Sequence, residues 1–338
     1  MVETMTEMSF LSDFETPHIA WLGTNYHAAI FRLMKLLPAR FILDRAEERG
    51  LLRPGGEIVE TSSGTFAMAL AMLSAVRGYQ LTIVSAVSLI DTPFKTRLEQ
   101  LGASVILVED EKRTGNQNGR LAELHRILRA RPGAFWPAQY DNPDNPASYA
   151  RLAEIIVETI GQIDCLVGCV GSGGSLSGTA RFLRSLFPDM RAIAVDTNNS
   201  VLFGHKPGPR LLRGLGNSIH PKNLDYSAVD DVHWVGSLPA FAATRSLYRD
   251  HAIFAGPTSG AAALVAEWYA RTHPDETVVV IMADEGYRYL STVYSDAWLN
   301  SQNGWPLREN VAPVEVSEVA PAGESDWTFL HWSRRAHL

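Results

Sequence analysis

Short apolar runs alternate along this chain with longer stretches whose apolar residues recur at helical spacing. The short runs predict buried strands and the longer stretches predict amphipathic helices. Their alternation is typical of parallel sheets with helices on their faces, so we expect an α/β fold. The predicted strands are His27–Leu33, Glu57–Glu60, Gln80–Val84, Ser104–Leu107, Cys165–Val170, Arg191–Asp196, Val232–Val235 and Thr277–Met282. The predicted helices are Ala39–Arg49, Phe66–Val76, Thr92–Leu101, Gly119–Arg131, Ala147–Ile160, Ser177–Leu186, Pro239–Asp250 and Ser259–His273.

Two stretches interrupt this alternation. Tyr140–Pro146 is rich in Pro, Asn and Asp, which makes it the best candidate for a domain boundary. The chain beyond about Gln302 is weakly periodic and contains Pro, Glu and Ser, which favours an irregular terminus over a lid or a partner-docking segment. Trp327 and Trp332 are its candidate anchors.

Composition and charge narrow the class of protein. The 338 residues are 46% hydrophobic and 20% charged, as in soluble globular proteins with one large or two medium domains. The net charge of -7 disfavours nucleic acid as a partner, and no apolar run is long enough to span a membrane. No signal peptide is visible at the N-terminus. Because Cys165 and Cys169 cannot close a disulfide within an extended strand, we expect a reduced, cytoplasmic protein.

The stretch Gly171–Ser175 reads Gly-Ser-Gly-Gly-Ser and joins a predicted strand to a predicted helix. Consecutive glycines let backbone N–H groups turn inward, the helix N-terminus adds partial positive charge, and Ser172 and Ser175 add hydroxyl donors. These features predict a phosphate-binding loop, although a simple tight turn has the same composition. Neither the Gly-Lys-Ser/Thr of triphosphate loops nor the GxGxxG of dinucleotide loops is present, which favours another phosphorylated cofactor.

Lys35 is one of few lysines in the chain and stands in the apolar segment Ile30–Leu37. Desolvation of its amine would lower the pKa and make it a nucleophile towards aldehydes. Alternatively, the ammonium group reaches the surface along its apolar stem. One such lysine together with one phosphate site is what pyridoxal 5′-phosphate requires.

Three further polar turns are expected at the carboxyl ends of strands, where open α/β sheets bind ligands. They are Glu60–Phe66, Ala255–Gly260 and Asp284–Tyr289. The hydroxyl and N–H groups of the first turn would hold a carboxylate at a helix N-terminus, but an ordinary Ser/Thr N-cap has the same residues.

The order and spacing of five motifs resemble the fold-type II pyridoxal-phosphate enzymes, specifically the cysteine synthase and cystathionine β-synthase group. The motifs are Ala46–Gly55, Thr61–Ala71, Gln139–Pro143, Gly171–Ser175 and Asp284–Ser291. The resemblance implies two α/β domains built on parallel sheets, with the active site between them, in a tryptophan synthase β-like fold and a homodimer. It places a smaller mobile domain at 36–146, a larger cofactor-binding domain at 1–35 plus 147–301, and a tail at 302–338.

The resemblance also implies a site for pyridoxal 5′-phosphate and amino-acid substrates, with no metal. Lys35 would hold the cofactor and take the Cα proton of the substrate. The other implied cofactor contacts are Thr65, Gly171, Ser172, Gly173, Gly174, Ser175 and Thr258, the last facing the pyridine nitrogen. The implied substrate contacts are Ser62, Ser63, Thr65 and Gln139 for the carboxylate, and Arg213 for the phosphate of O-phosphoserine.

Some positions depart from the cysteine synthase pattern: Ala29–Met34 replaces its Asn-Pro-Gly-Gly-Ser, and Thr65 and Phe66 replace Asn and Thr. The C-terminal half is instead similar to siderophore- and antibiotic-pathway 2,3-diaminopropionate synthases. The residues responsible are Phe203–Pro207, Gly214–Ser218, Ile253–Gly256 and Tyr294–Leu299.

We therefore expect a β-replacement on O-phosphoserine or O-acetylserine by an amine such as L-glutamate, on a route to 2,3-diaminopropionate or a related amino acid. A cysteine synthase-type sulfhydrylase and a catalytically inactive regulatory relative are the alternatives. A nicotinamide enzyme is a further alternative, because Asp196 stands near the expected distance from the glycine loop.

Overall fold

The computed structural model describes residues 10–111, 115–212, 214–307 and 312–337 of the chain. Its strands are β1 (His18–Trp21), β2 (Tyr26–Ile30), β3 (Glu57–Thr61), β4 (Gln80–Ala86), β5 (Ser104–Val108), β6 (Cys165–Cys169), β7 (Arg191–Asp196), β8 (Asp231–Val235), β9 (Val278–Met282), β10 (Val314–Glu315) and β11 (Trp327–His331). Its helices are α1 (Ser12–Glu15), α2 (Leu36–Glu48), α3 (Thr65–Arg77), α4 (Thr92–Gln100), α5 (Gln117–Ala130), α6 (Asp144–Ser148), α7 (Ala150–Thr159), α8 (Gly174–Arg184), α9 (Ser237–His251), α10 (Pro257–Thr272) and α11 (Asp296–Asn300).

The structure confirms the strands predicted from apolar runs, with ends shifted by a few residues. The largest shift is in β2, which ends at Ile30. The N–H group of Phe31 still donates to the Met282 carbonyl over 2.9 Å, but the chain then leaves the sheet and exposes Arg32.

One predicted helix is interrupted. The stretch Ala147–Ile160 forms the end of the single turn α6 and then α7, with Tyr149 between them. Within the turn, the hydroxyl of Ser148 donates to the Asn145 carbonyl over 2.7 Å. Side-chain hydrogen bonds of this kind compete with continuation of a helix.

Unit 1 comprises the described residues up to Thr16 and Leu33–Ser148. Its sheet has three parallel strands in the order β3-β4-β5. Successive strand residues point to opposite faces, so Ile58 packs in the core under α2 and α3 and Val59 packs with Leu124 of α5. Both faces of this small sheet are therefore covered by helices.

Unit 2 comprises Pro17–Arg32 and the described residues from Tyr149 onwards. Its eight-stranded sheet has the order β1-β2-β9-β6-β7-β8-β11-β10. The strands from β2 to β8 are parallel, whereas β1 pairs antiparallel with β2 and β11 pairs antiparallel with β8. Val167 and Val280 of the central strands are fully buried in one core with Ala262 of α10.

The bounds of unit 1 differ from the predicted smaller domain at its N-terminal side. The described residues up to Thr16, which were expected in the larger domain, group with unit 1 instead. Leu11 is buried in the core of unit 1, and Arg40 of α2 pairs with Glu15 over 2.9 Å. These contacts hold α1 against α2.

Most of the described C-terminal tail is irregular, as predicted, but the tail also contains the strands β10 and β11. Trp327–His331 forms β11 along the edge of β8, with Trp327 opposite Val235. Trp327 and Trp332 are each 2% exposed, so both are anchors as expected. The tail is therefore part of the sheet of unit 2. Among the described residues, no helix is long and apolar enough to cross a bilayer.

Candidate active site

Lys35 directly precedes α2 and is half-buried. Desolvation lowers the pKa of its amine from 10.5 to about 8, and the positive end of the helix acts in the same direction. No acidic side chain of the described residues forms an ion pair with it. At neutral pH the lowered pKa raises the fraction of neutral, nucleophilic amine by roughly two orders of magnitude.

Ser62 and Ser63 lie in the loop between β3 and α3, and Thr65 is the first residue of α3. The hydroxyl oxygen of Ser62 is buried and accepts from the Ala67 N–H group over 3.1 Å, so it satisfies the third N–H group of α3 from two positions before the N-cap residue Gly64. The N–H groups of Thr65 and Phe66 have no hydrogen-bond partner among the residues described. A capped helix start with free N–H groups is suited to a carboxylate. The alternative of an ordinary Ser/Thr N-cap is not what the structure has, because the N-cap residue is Gly64, and the bond from Ala67 to Ser62 leaves room for an anion at the helix start.

Gln139 is brought to this loop from a distant part of unit 1. Its side-chain amide donates to the carbonyl of Thr61 over 3.3 Å, and the residue is 5% exposed. One amide hydrogen is thus used within the protein. The structure places Gln139 beside the predicted carboxylate site, with the loop held from two sides.

The glycine loop of unit 2 starts α8. Gly173 has φ +82, and a Cβ atom there would lie 2.4 Å from the Cα atom of Leu224, so both conformation and space require glycine. The N–H groups of Gly174, Ser175 and Leu176 have no hydrogen-bond partner among the described residues. This arrangement is an anion-binding helix N-terminus and fits a phosphate group.

Thr258 lies close to the glycine loop within unit 2. Its carbonyl accepts from the Cys169 thiol over 3.0 Å, at the end of the strand that leads into the loop. A Cβ atom on Gly214 would lie 3.4 Å from the Thr258 Cγ2 atom, and one on Gly171 would lie 3.5 Å from the Gly214 carbonyl. The Thr258 hydroxyl has no partner within the described ranges, which leaves it free for a ligand. Arg213, the predicted phosphate contact, lies outside the described residues.

Sequence reasoning assigned no role to two buried charged residues of unit 1. Glu60 is 0% exposed, and desolvation raises its pKa to about 7. Arg120 is 6% exposed and donates to the Thr61 hydroxyl over 3.2 Å and to the Gly115 carbonyl over 2.8 Å. A glutamate directly after two apolar residues of a predicted strand is unusual, so the sequence could have indicated that Glu60 is buried. Arg120 lies in an ordinary amphipathic helical pattern, which does not distinguish it from an exposed arginine.

These features fit pyridoxal 5′-phosphate. Unit 1 supplies an amine with a lowered pKa and a helix start suited to a carboxylate. Unit 2 supplies a loop that only glycine can form, with unpaired N–H groups, and a hydroxyl at the start of α10. The fold and the site chemistry thus define the class of fold-type II pyridoxal-phosphate enzymes.

Residues 34–284 match the family described as pyridoxal-phosphate dependent enzyme, and the chain belongs to this family. It is 38% identical over 266 residues to the N-(2-amino-2-carboxyethyl)-L-glutamate synthase of Ralstonia nicotianae, covering 78% of both chains. It is 34% identical over 296 residues to the protein of the same name from Cupriavidus metallidurans, covering 85% of this chain and 86% of the relative. The protein is therefore an enzyme with pyridoxal phosphate as its cofactor.

Solved structures agree with this assignment. A cystathionine β-synthase from Helicobacter pylori, described as O-acetylserine dependent, has a TM-score of 0.75 at 26% identity, covering 84% of this chain and 94% of that one. A cysteine synthase from Entamoeba histolytica has a TM-score of 0.77 at 28% identity, covering 84% and 89%. An O-ureido-L-serine synthase has a TM-score of 0.76 at 29% identity, covering 86% and 98%. The predicted fold class and family resemblance are confirmed.

Proposed function

We propose that the enzyme replaces the β-substituent of an activated L-serine with the amino group of L-glutamate. The product would be N-(2-amino-2-carboxyethyl)-L-glutamate, a precursor type for 2,3-diaminopropionate. In this reaction the Cβ–O bond breaks and the leaving group keeps its electron pair. A Cβ–N bond forms, and the glutamate nitrogen loses a proton.

The observation that carries this proposal is the name shared by the two curated relatives. Both align with this chain over more than three quarters of its length. In the compound of that name, the nitrogen of glutamate is bonded to Cβ of an alanine unit. This is the product expected when an amine attacks the β-carbon. The departures at Thr65 and Phe66 also support a substrate other than that of cysteine synthase. Phe66 is buried in the core of unit 1, where it fixes the start of α3.

The proposed site residues act in binding the cofactor, binding the substrate and moving a proton. Lys35 would hold the cofactor through its amine and then move the Cα proton of the substrate. Ser62, Ser63, Thr65 and Gln139 would hold the substrate carboxylate. The cofactor phosphate would bind to Gly171, Ser172, Gly173, Gly174 and Ser175.

When bound, the cofactor withdraws electrons from the substrate Cα and so lets the Cβ substituent leave. Thr258 would face the pyridine nitrogen. Because its hydroxyl is neutral, it does not keep that nitrogen protonated, which favours β-elimination.

Product analysis tests this proposal. Purified enzyme loaded with cofactor is given O-phosphoserine or O-acetylserine, together with glutamate or sulfide, and the products are identified by mass spectrometry. We expect the glutamate adduct. Cysteine as the main product would support the runner-up, a cysteine synthase-type enzyme, which the structural likeness to the Entamoeba histolytica cysteine synthase favours. No turnover with either donor would indicate a regulatory relative.

The oligomeric state and the cellular location belong to the same proposal. A homodimer follows the family resemblance, and light scattering of the purified enzyme tests it. A reducing, cytoplasmic location is supported by the free thiols of Cys165 and Cys169. Fractionation of the source cells tests the location.

A further inference from the structure

Glu60 is the last but one residue of β3 and directly precedes the segment proposed to hold the substrate carboxylate. Its carboxylate accepts three hydrogen bonds from two parts of unit 1. The Thr61 N–H group donates over 2.7 Å, the Trp136 indole over 3.1 Å and the Gln139 N–H group over 3.2 Å. Glu60 is 0% exposed, so water does not compete for these bonds.

These bonds tie together two segments that are 79 positions apart in the chain. One segment is the loop that begins at Thr61 and the other contains Gln139. The Gln139 side chain closes the link by donating to the Thr61 carbonyl, and the Asn145 amide donates to the Gln139 carbonyl over 2.6 Å. Both segments that supply proposed carboxylate contacts therefore depend on one buried acid.

The charge of Glu60 has a counterpart nearby. Arg120 is buried, interacts electrostatically with Glu60 and donates to the Thr61 hydroxyl over 3.2 Å. Burial raises the pKa of the Glu60 carboxyl to about 7, and the hydrogen bonds donated to the carboxylate offset this only in part. A buried acid with three donors costs free energy to maintain, and a packed apolar residue would not.

We infer that Glu60 is a positioning residue that holds the Thr61–Thr65 loop and Gln139 in the arrangement that binds the substrate carboxylate. The inference rests on the proposed function. Glu60 acts through main-chain and side-chain groups of neighbours. Its removal therefore weakens amino-acid binding much more than cofactor binding, because the phosphate loop is in unit 2 and Thr65 is the one implied cofactor contact in this segment.

The test compares Glu60→Gln with Glu57→Gln. Glu57 starts the same strand, accepts from the Thr82 hydroxyl over 3.4 Å and pairs with Arg131 at the surface, so it controls for loss of an acid from β3. The dissociation constant for L-alanine, which has no leaving group, is measured from the change in cofactor absorbance. KM and kcat for the serine donor and the cofactor affinity are measured alongside.

We expect Glu60→Gln to raise the L-alanine dissociation constant and the donor KM by tenfold or more, with a smaller change in kcat and at most about a twofold loss of cofactor affinity. Glu60→Asp should recover part of the loss, and Glu57→Gln should behave as wild type. An unchanged dissociation constant in folded Glu60→Gln would overturn the inference and leave the proposed function standing. A parallel loss of cofactor affinity would also overturn it, because it would show a general structural role.

A second variant covers the case in which Glu60→Gln does not fold. Trp136→Phe removes one of the three donors and keeps the carboxylate. A rise of at least twofold in the L-alanine dissociation constant supports the inference, and no change overturns it. A wild-type enzyme whose absorbance responds to neither L-alanine nor the donors would overturn the proposed function together with this inference.

Discussion

The side-chain amide of Asn217 donates a hydrogen bond to the carbonyl of Gly171 over 3.1 Å. Asn217 is itself held, because its N–H group donates to the Ser200 hydroxyl over 3.1 Å and its carbonyl accepts from the Val201 N–H group over 2.9 Å. The first carbonyl of the glycine loop is thus occupied by a fixed donor. The N–H groups of Gly174, Ser175 and Leu176 remain available to an anion.

Replacing Ser172 and Ser175 together by Ala should weaken cofactor binding. Two hydroxyl donors to a phosphate are lost, each worth about 1.5–3 kcal/mol as a hydrogen bond to a charged group. We expect the cofactor affinity to fall by at least about tenfold in equilibrium dialysis. Ser185→Ala changes an exposed serine just after α8 and is the matched control. An unchanged affinity in the double variant would mean that the loop is only a turn.

Lys35→Ala should abolish the absorbance band that arises from the covalent bond between the lysine amine and the cofactor. It should also abolish all β-elimination. The amine of Lys35 is desolvated, whereas Lys95 pairs with Glu99 over 2.7 Å on the surface. Lys95→Ala is therefore the control and should retain both properties. Borohydride reduction followed by peptide mapping should place the cofactor on Lys35. A label on another lysine would contradict the assignment.

Glu60 should make stability depend on pH. Its pKa is raised from 4.5 to about 7, so between these values the native state holds more protons than the unfolded chain. The stability that Glu60 contributes is full below about pH 4.5 and is lost as the pH rises through about 7. Relative to Glu60→Gln, the unfolding free energy of the wild type should fall by up to about 3 kcal/mol over this window. Urea titrations across the window measure it, and identical pH dependences would refute the expectation.

Trp327→Ala should destabilise unit 2. The Trp327 ring is 2% exposed, and its indole donates to the buried His233 ring over 3.0 Å. Loss of a large buried aromatic typically costs about 3–5 kcal/mol. Urea unfolding should show this loss, whereas Val314→Ala, at a residue 61% exposed in β10, should be near neutral. Equal unfolding free energies of the two variants would mean that burial of Trp327 contributes little to the stability of unit 2.

Arg213→Ala should discriminate between the two serine donors. A guanidinium can bind a phosphate dianion through two parallel hydrogen bonds. We expect kcat/KM for O-phosphoserine to fall about tenfold to a hundredfold, with a much smaller loss for O-acetylserine. Lys206→Ala, at an exposed basic residue nearby in the sequence, is the control. Equal losses on both donors would assign Arg213 to folding rather than to donor choice.

Local sequence determined most of the elements of this fold and the placement of the chemistry at the carboxyl ends of strands. Arg191–Asp196 forms a strand with the predicted bounds, because an apolar run between polar residues buries well only in the middle of a sheet. Gly171–Ser175 starts a helix as expected, since only glycine takes the conformation and leaves the space that Gly173 needs. These features depend on residues close together in the chain.

Tertiary structure decided the rest. The strand Trp327–His331 forms because it can pair with the edge of β8. The local sequence of the tail does not predict this pairing. The bond between Glu60 and Gln139 joins segments 79 positions apart, and only the family resemblance, not the local pattern, placed Gln139 at the same site as Ser62 and Thr65. Backbone pairing and buried hydrogen bonds form wherever folding brings complementary groups together. Contacts between distant segments therefore cannot be inferred from local pattern, whereas the propensity of each segment can.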